Sequence, residues 1–329
     1  MHGDRLPAFR PDRAVVEHLE VLHLPFRGLA SGIRVERRAK ADALDRLLLD
    51  ALEDAGRFAA EVIEAILIVR AADTKGSAIS RGDHMHDIHG LLRAHRSIRK
   101  YTDEPMSDEM VEDLVASGLQ AATSSNLQAT TVIRVRNKET RRRIAEVASG
   151  QQHIVDAAAF VVWCADMHRT RLATEMAGGS MTSGMTEQFI IATVDVALAA
   201  QQAVVAAEAQ GLGICFIGAV RNDPQTVSEL LELPDDVYPV FGMCFGYPAE
   251  DPEVKPRLPL DVVLKEEVYD DSADRERIAT YDEEVRNYYR TRSETKKDAS
   301  WTSEMARLVE GERRTHMREF LQRRGFELR

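Results

Sequence analysis

What this 329-residue chain lacks narrows its function before any motif is read. Cysteine is scarce: Cys164, Cys215 and Cys244 are the whole supply. The number is odd and all three lie in apolar stretches, whereas a disulfide framework needs pairs. The expectation is three buried, reduced thiols in a cytoplasmic protein. Residues 1–30 carry no apolar h-region before a small-residue cleavage site, so no secretory signal is legible. Basic residues are also short, with 43 Lys and Arg against 54 Asp and Glu, for a formal charge of −11. Such a chain is a poor general binder of nucleic acid, because neutralising phosphates needs a net basic face. No apolar run reaches the roughly 18 residues a membrane span requires. The longest, residues 189–209, is interrupted by Asp195, Gln201, Gln202 and Glu208. The chain has no G-x-S-x-G, no H-E-x-x-H and no P-loop, which leaves hydrolase and kinase readings without support.

What is present is an ordinary globular balance, 44% hydrophobic and 29% charged, in two unlike parts. In residues 1–84, Pro7, Pro11 and Pro25 break up the start. A helical pattern then fills 38–72, with Ala41, Leu44, Leu47, Leu48, Ala51 and Leu52 at three- and four-residue spacings. A Gly/Ser/Asp-rich stretch, 73–83, reads as a linker. One helix cannot bury its own apolar stripe, so this extension docks on the body or pairs with a partner. Alternatively, Met85 is the true start and the upstream residues are an over-called reading frame or a family-specific addition. From residue 85 to 329 the pattern becomes an α/β series. Helices are expected at 86–94, 107–120, 139–148, 186–210 and 225–231, strands at 130–135, 159–165, 214–217 and 238–245, and helices again from 275 onward. Ser107 reads as an N-cap and Gly211 as a C′ glycine. Alternation alone favours a parallel sheet.

Two cation clusters stand out. His95-Arg96-Ser97-Ile98-Arg99-Lys100 offers four potential cations and a hydroxyl within six residues, a good donor set for a dianion. Lys255-Pro256-Arg257 follows a Gly246-Tyr247-Pro248 turn, with Pro256 stiffening the backbone between two cations. Each alone reads as a solvated charge run; two in an acidic protein point to a bound phosphate. The loop Thr123-Ser124-Ser125-Asn126-Leu127-Gln128 supplies hydroxyls for a polyol or a phosphate, or simply makes a turn. The glycines of 211–219 lack the spacing of a dinucleotide fingerprint. His84, His86 and His89 have no acidic or cysteine partner nearby, so no metal site is expected.

These motifs, with Gly150-Gln151-Gln152-His153, Glu187-Gln188, Phe216-Ile217-Gly218-Ala219-Val220-Arg221-Asn222, Leu233-Pro234, Gly242-x-Cys244-x-Gly246-Tyr247-Pro248-Ala249 and Lys255-Pro256-Arg257-Leu258-Pro259, occur in one order. In that order the chain from Met85 to Arg329 resembles the oxygen-insensitive NADPH nitroreductase and flavin reductase family, specifically its group A branch. The resemblance implies an α+β fold, with a mostly antiparallel sheet wrapped by helices, in an intertwined homodimer. It implies one FMN at each of two subunit-interface sites and NADPH as cosubstrate. Arg96, Ser97, Lys255 and Arg257 would hold the FMN phosphate, and His95 would belong to the same cofactor site. Thr123, Ser124 and Ser125 would face phosphate, ribityl chain or ring edge, and Gln151 the pyrimidine edge. Arg99 would lie near flavin N1 and O2, where reduction builds negative charge. The Phe216, Ile217, Gly218 and Ala219 loop would bring a backbone N–H to N5.

The implied cycle is ping-pong, with hydride passing from NADPH through FMN to a nitroaromatic, a quinone or free flavin. No side chain need act as nucleophile. Three departures accompany the resemblance. Ala219 stands where the family more often has a second glycine. The Gly- and Ser-rich stretch 177–184 is either a pocket rim or a bare connector. The basic pair for the NADPH 2′-phosphate appears as Lys296 and Lys297, with Arg292 a turn earlier, and lysine keeps the charge but loses the fork. Other readings of the same motifs are an FMN-binding sensor or assembly protein without NADPH turnover, and a reductive dehalogenase or ene-type reductase.

Overall fold

A computed structural model describes residues 83–293 and 295–326 of the chain. The expected 38–72 helix and nearly all of the 73–83 linker lie outside the described residues. Helix α1 (Asp83–Arg93) leads into an extended segment at 95–101. Helix α2 (Asp108–Gly118) starts at Ser107, whose Oγ accepts from the Met110 N–H at 3.2 Å, as the N-cap reading expects. After a 3₁₀ turn (Ser124–Asn126) come β1 (Thr130–Arg134), α3 (Lys138–Val147), the short α4 (His153–Asp156) and β2 (Ala159–Asp166). Helix α5 (His168–Met176), for which the apolar pattern gave no signal, precedes the long α6 (Thr186–Ala209). Then follow β3 (Gly213–Ile217), a 3₁₀ turn (Gly218–Asn222), α7 (Pro224–Leu230) and β4 (Val237–Gly246). The C-terminal part is helical: α8 (Leu260–Val263), α9 (Asp274–Thr291), α10 (Trp301–Val309) and α11 (Met317–Arg323).

The sheet order is β1-β2-β4-β3, and every pairing is antiparallel. The expectation of a parallel sheet from alternation fails for a physical reason. A continuous apolar run reports only that both faces of a strand are covered, and parallel sheets are the usual but not the sole case. Here β2 and β4 are central, with helices on both sides. Val161, Trp163 and Ala165 of β2 pack in one core with Ala192, Val196 and Ala203 of α6. Phe160, Val162 and Cys164 pack in another with Ile144 of α3 and Val227 of α7.

Helix α6 is long and apolar enough to cross a membrane by composition. In this fold it is the core helix, with Ala192, Asp195, Val196, Ala199, Ala200 and Ala203 buried. It ends as the sequence predicts: Gly211 takes φ 77°, and the Leu212 N–H reaches back to the Ala207 carbonyl at 3.0 Å. All three cysteines are free and buried, and burial pushes their thiols up, away from the reactive thiolate form.

Candidate functional site

The basic run at 95–100 is not a loose charged surface. It lies along the free edge of β3, where the Ile98 N–H donates to the Ile214 carbonyl at 2.8 Å. It then crosses to the end of β4, where the Thr102 N–H donates to the Tyr247 carbonyl at 2.9 Å. Two glycines facing each other in register make that approach possible. A Cβ on Gly213 would stand 2.7 Å from the Ile98 side chain, and one on Gly246 would stand 2.8 Å from the Tyr101 ring.

On the far side of the cavity, α9 grips the second cluster. Tyr281 Oη donates to the Pro256 carbonyl at 2.9 Å, and Tyr288 Oη to the Glu253 carbonyl at 3.5 Å. The result is one cavity of about 150 Å³ lined by His95, Arg96, Ser97, Arg99, Lys255 and Arg257, together with Pro252, Glu253, Tyr288 and Arg292. Two clusters whose nearest members, Lys100 and Lys255, are 155 residues apart in sequence thus converge, and a residue expected at the NADPH site joins them.

The electrostatics suit a phosphate. Among the described residues, Arg99, Lys255 and Arg257 have no carboxylate within ion-pair distance. Arg96 pairs with Asp251 and donates to the Ala94 carbonyl at 2.9 Å, while its Nε is buried with no partner. His95 Nδ1 lies 2.7 Å from the Glu208 carboxylate of α6. Glu253 is occupied as an acceptor for the Ser293 N–H at 2.8 Å and the Ser293 hydroxyl at 3.1 Å. Its carboxyl is held below the ordinary value by its own backbone N–H and by Ser293. A group of dense negative charge would find in Arg99, Lys255 and Arg257 donors that no carboxylate among the described residues occupies.

Beside this cavity, Tyr289 is buried and surrounded by cations. Lys297 Nζ lies 4.2 Å from the ring centroid, the Arg292 guanidinium 5.0 Å and Lys255 Nζ 5.6 Å. Lys297 also pairs with Glu304 at 2.6 Å. Lys296 is exposed and does not line the cavity.

The other expected site residues sit elsewhere in this chain. None of Thr123, Ser124, Ser125, Gln151, Phe216, Ile217, Gly218 and Ala219 lines the cationic cavity. Ser125 faces a separate cavity of about 680 Å³, with Asn126, Gln128, Thr131 and Arg169. The loop that carries it is organised by Asp195, which sequence reasoning used only as an interruption of an apolar run. Asp195 of α6 is 2% exposed. It accepts from the Thr123 hydroxyl at 2.5 Å, the Ser124 N–H at 3.1 Å and the Ala129 N–H at 3.1 Å. A lone carboxylate on the buried face of an apolar helix was the available signal, because such a group must find donors.

In the 216–219 loop, Phe216 meets Phe241 edge to face at 5.0 Å and Ile217 is fully buried. A Cβ on Gly218 would come within 3.2 Å of the Arg221 guanidinium, which donates to the Val240 carbonyl. Next to Gln151, the His153 Nε2 is buried without a hydrogen-bond partner among the described residues. Burial first, and the charge of Arg99 second, hold His153 below its ordinary value near 6.5. An imidazole that stays neutral in the fold but protonates when unfolded contributes stability fully present above about pH 6.5, lost as pH falls toward the folded value. Thermal midpoints measured from pH 8 to pH 5 are therefore expected to decline on the acid side less steeply in His153→Gln than in wild type. An identical decline would assign the proton uptake to other groups.

The chain matches the nitroreductase family over residues 92–247 and the C-terminal domain of that family over residues 255–329. It is 38% identical to an oxygen-insensitive NADPH nitroreductase of Salmonella typhimurium, over 73% of this chain and 98% of that protein. It is 37% identical to an FMN reductase (NADPH) of Bacillus subtilis, over 70% of this chain and 95% of that one. Among solved structures, NfrA1 of B. megaterium superposes with a TM-score of 0.71 at 41% identity, over 73% of this chain and 99% of that one. NADPH:FMN oxidoreductase of Vibrio harveyi, solved with NAD+, gives 0.68 at 36% identity, over 74% and 99%. With the antiparallel sheet and the ordered motifs, these matches establish that the chain belongs to the nitroreductase family.

Proposed function

We propose that this protein is an FMN-dependent oxidoreductase that moves hydride from NADPH through FMN to a small nitroaromatic, quinone or flavin acceptor. The observation that carries the reading is the convergence of 95–99 with Lys255 and Arg257 on one cavity, where Arg99, Lys255 and Arg257 have no ion-pair carboxylate among the described residues. The names of the relatives, NADPH nitroreductase and FMN reductase, support the same chemistry.

When bound, FMN supplies the hydride acceptor and donor, and the side chains aim and tune it. Arg96, Ser97, Lys255 and Arg257 would hold its phosphate, with His95 kept in place by Glu208. Arg99 would carry the positive charge at the pyrimidine side, a role that suits a guanidinium with no ion pair among the described residues, although the Arg99 backbone N–H donates to the Glu250 carboxylate at 2.6 Å. Next to it a neutral His153 adds no competing cation, and Gln151 would meet the ring edge. The backbone at Gly218 and Ala219 would present an N–H to the ring. Thr123, Ser124 and Ser125, which lie away from the phosphate cavity of their own chain, fit a contribution across a subunit interface. Arg292, Lys296 and Lys297 would receive the 2′-phosphate of NADPH.

A homodimer agrees with the surface. Ile190, Val194 and Leu198 form an exposed apolar stripe at four-residue spacing on α6. Leu260, Val263, Leu264, Val268 and Tyr269 are exposed on the segment after β4. Surfaces of that kind mark partner contacts. The catalytic body is residues 85–329, and the three buried thiols suit the cytoplasm.

The test is direct. The purified protein is expected to be yellow, with one FMN per chain, and to bleach on anaerobic addition of NADPH. Screening nitrofuran, quinone and free FMN as reoxidants then ranks the acceptors. Colour that persists under NADPH would favour a flavin-binding sensor, and a colourless protein that takes up no FMN would sink the proposal.

A further inference from the structure

The three cations around Tyr289 present a problem of like charges. Lys255, Arg292 and Lys297 all approach one ring within 6 Å of its centroid. Only Lys297 of the three has a carboxylate partner among the described residues, Glu304. Lys255 and Arg292 both line the cationic cavity, and neither forms an ion pair there among the described residues. What faces them from α9 is the electron-rich face of a buried ring. An aromatic face attracts a cation without neutralising it, whereas a carboxylate in the same place would cancel the charge a phosphate needs. In a chain of net charge −11, that distinction decides whether the cavity stays positive.

We infer that Tyr289 is a positioning residue common to two phosphate subsites, holding Lys255 toward the flavin phosphate and Arg292 and Lys297 toward the nucleotide 2′-phosphate. The inference rests on the FMN and NADPH reading above. The ring belongs to a small cluster with Tyr281 and Val285, and it is 7% exposed, so its place is fixed by packing. Arg292 is held from the other side, its Nε donating to the Thr295 carbonyl at 2.8 Å. The ring and that carbonyl together leave the guanidinium little freedom before a ligand arrives, which lowers the ordering cost of binding. No ion pair among the described residues has to break for Lys255 or Arg292 to engage the ligand.

The test compares Tyr289→Leu with Tyr289→Phe, since phenylalanine keeps the aromatic face and leucine does not. Dissociation constants for FMN and for riboflavin, which lacks the phosphate, are measured on apoprotein. KM for NADPH and for NADH is measured at saturating FMN. In Tyr289→Leu the FMN constant is expected to rise roughly tenfold and the NADPH KM roughly fivefold, with riboflavin and NADH within about twofold of wild type. Tyr289→Phe is expected to restore both phosphate-dependent constants. Equal weakening of FMN and riboflavin, or failure of phenylalanine to rescue, would overturn the inference by reducing the ring to packing. If the leucine variant does not fold, Tyr289→Met carries the same comparison with an unbranched side chain. Wild-type protein that binds FMN no better than riboflavin overturns the underlying reading and this inference with it. Normal wild-type discrimination with an unaffected leucine variant overturns this inference alone.

Discussion

Replacing Lys255 and Arg257 together with alanine is expected to strip the protein of flavin. Both residues line the cavity that also holds Arg96 and Ser97, and neither is tied to a carboxylate among the described residues. Their free charge is therefore available to the ligand, not spent inside the protein. A hydrogen bond to a charged group contributes about 1.5–3 kcal/mol. Losing two corresponds to a rise in the FMN dissociation constant of roughly two to four orders of magnitude. The variant would purify colourless, yet with an unchanged circular dichroism spectrum, because Arg257 and the Lys255 head group are exposed or half-exposed and carry little core packing. Flavin absorbance per chain, read after gel filtration, checks this. A full FMN complement in the double variant would remove these two residues from the site.

Asp195→Ala is expected to produce the largest loss of stability. The carboxylate is buried and accepts from the Thr123 hydroxyl and the Ser124 and Ala129 N–H groups. Alanine leaves those donors without their partner beside an apolar helix. The loop has little to fall back on, since Ser125, Asn126 and Gln128 all take φ between 49° and 58°, where side chains are strained. A buried polar group left unsatisfied costs about 1–3 kcal/mol. The combined loss here is placed at about 3–5 kcal/mol, or a drop in thermal midpoint of roughly 10 °C for a body of this size. Asp195→Asn is expected to fall between, because the amide retains one acceptor oxygen. An alanine variant that melts with wild type would show that water or a rearranged loop replaces the carboxylate.

These two experiments separate what was visible in the chain from what was not. The basic run 95–100 and the pair Lys255 and Arg257 stood out as candidate phosphate donors because phosphate chemistry favours those residue types, whatever the fold. Helix ends were legible as well: Ser107 and Gly211 act through hydrogen bonds within a few residues of themselves. Helix α5 was not, because HRTRLATEM carries too weak an apolar stripe to mark a face. The role of Asp195 was hidden because its partners lie some 70 residues away in sequence. Tyr289 gave no signal of its own in the sequence; its three cations, from 255, 292 and 297, meet at the ring only in the fold.

By itself, then, the sequence determined the class of ligand this protein can hold, the positions of its principal helices and strands, and, through its ordered motifs, its family. Each of those follows from local chemistry: donor type, hydrophobic period, cap residue. The tertiary structure decided the direction of the sheet, since burial on both faces is the same signal for parallel and antiparallel strands. It also decided which cations share a cavity and which carboxylates leave them free. Charge acts through space and not along the chain, so the 155-residue gap between Lys100 and Lys255 disappears once the paired glycines of β3 and β4 let the 95–101 segment close against the sheet.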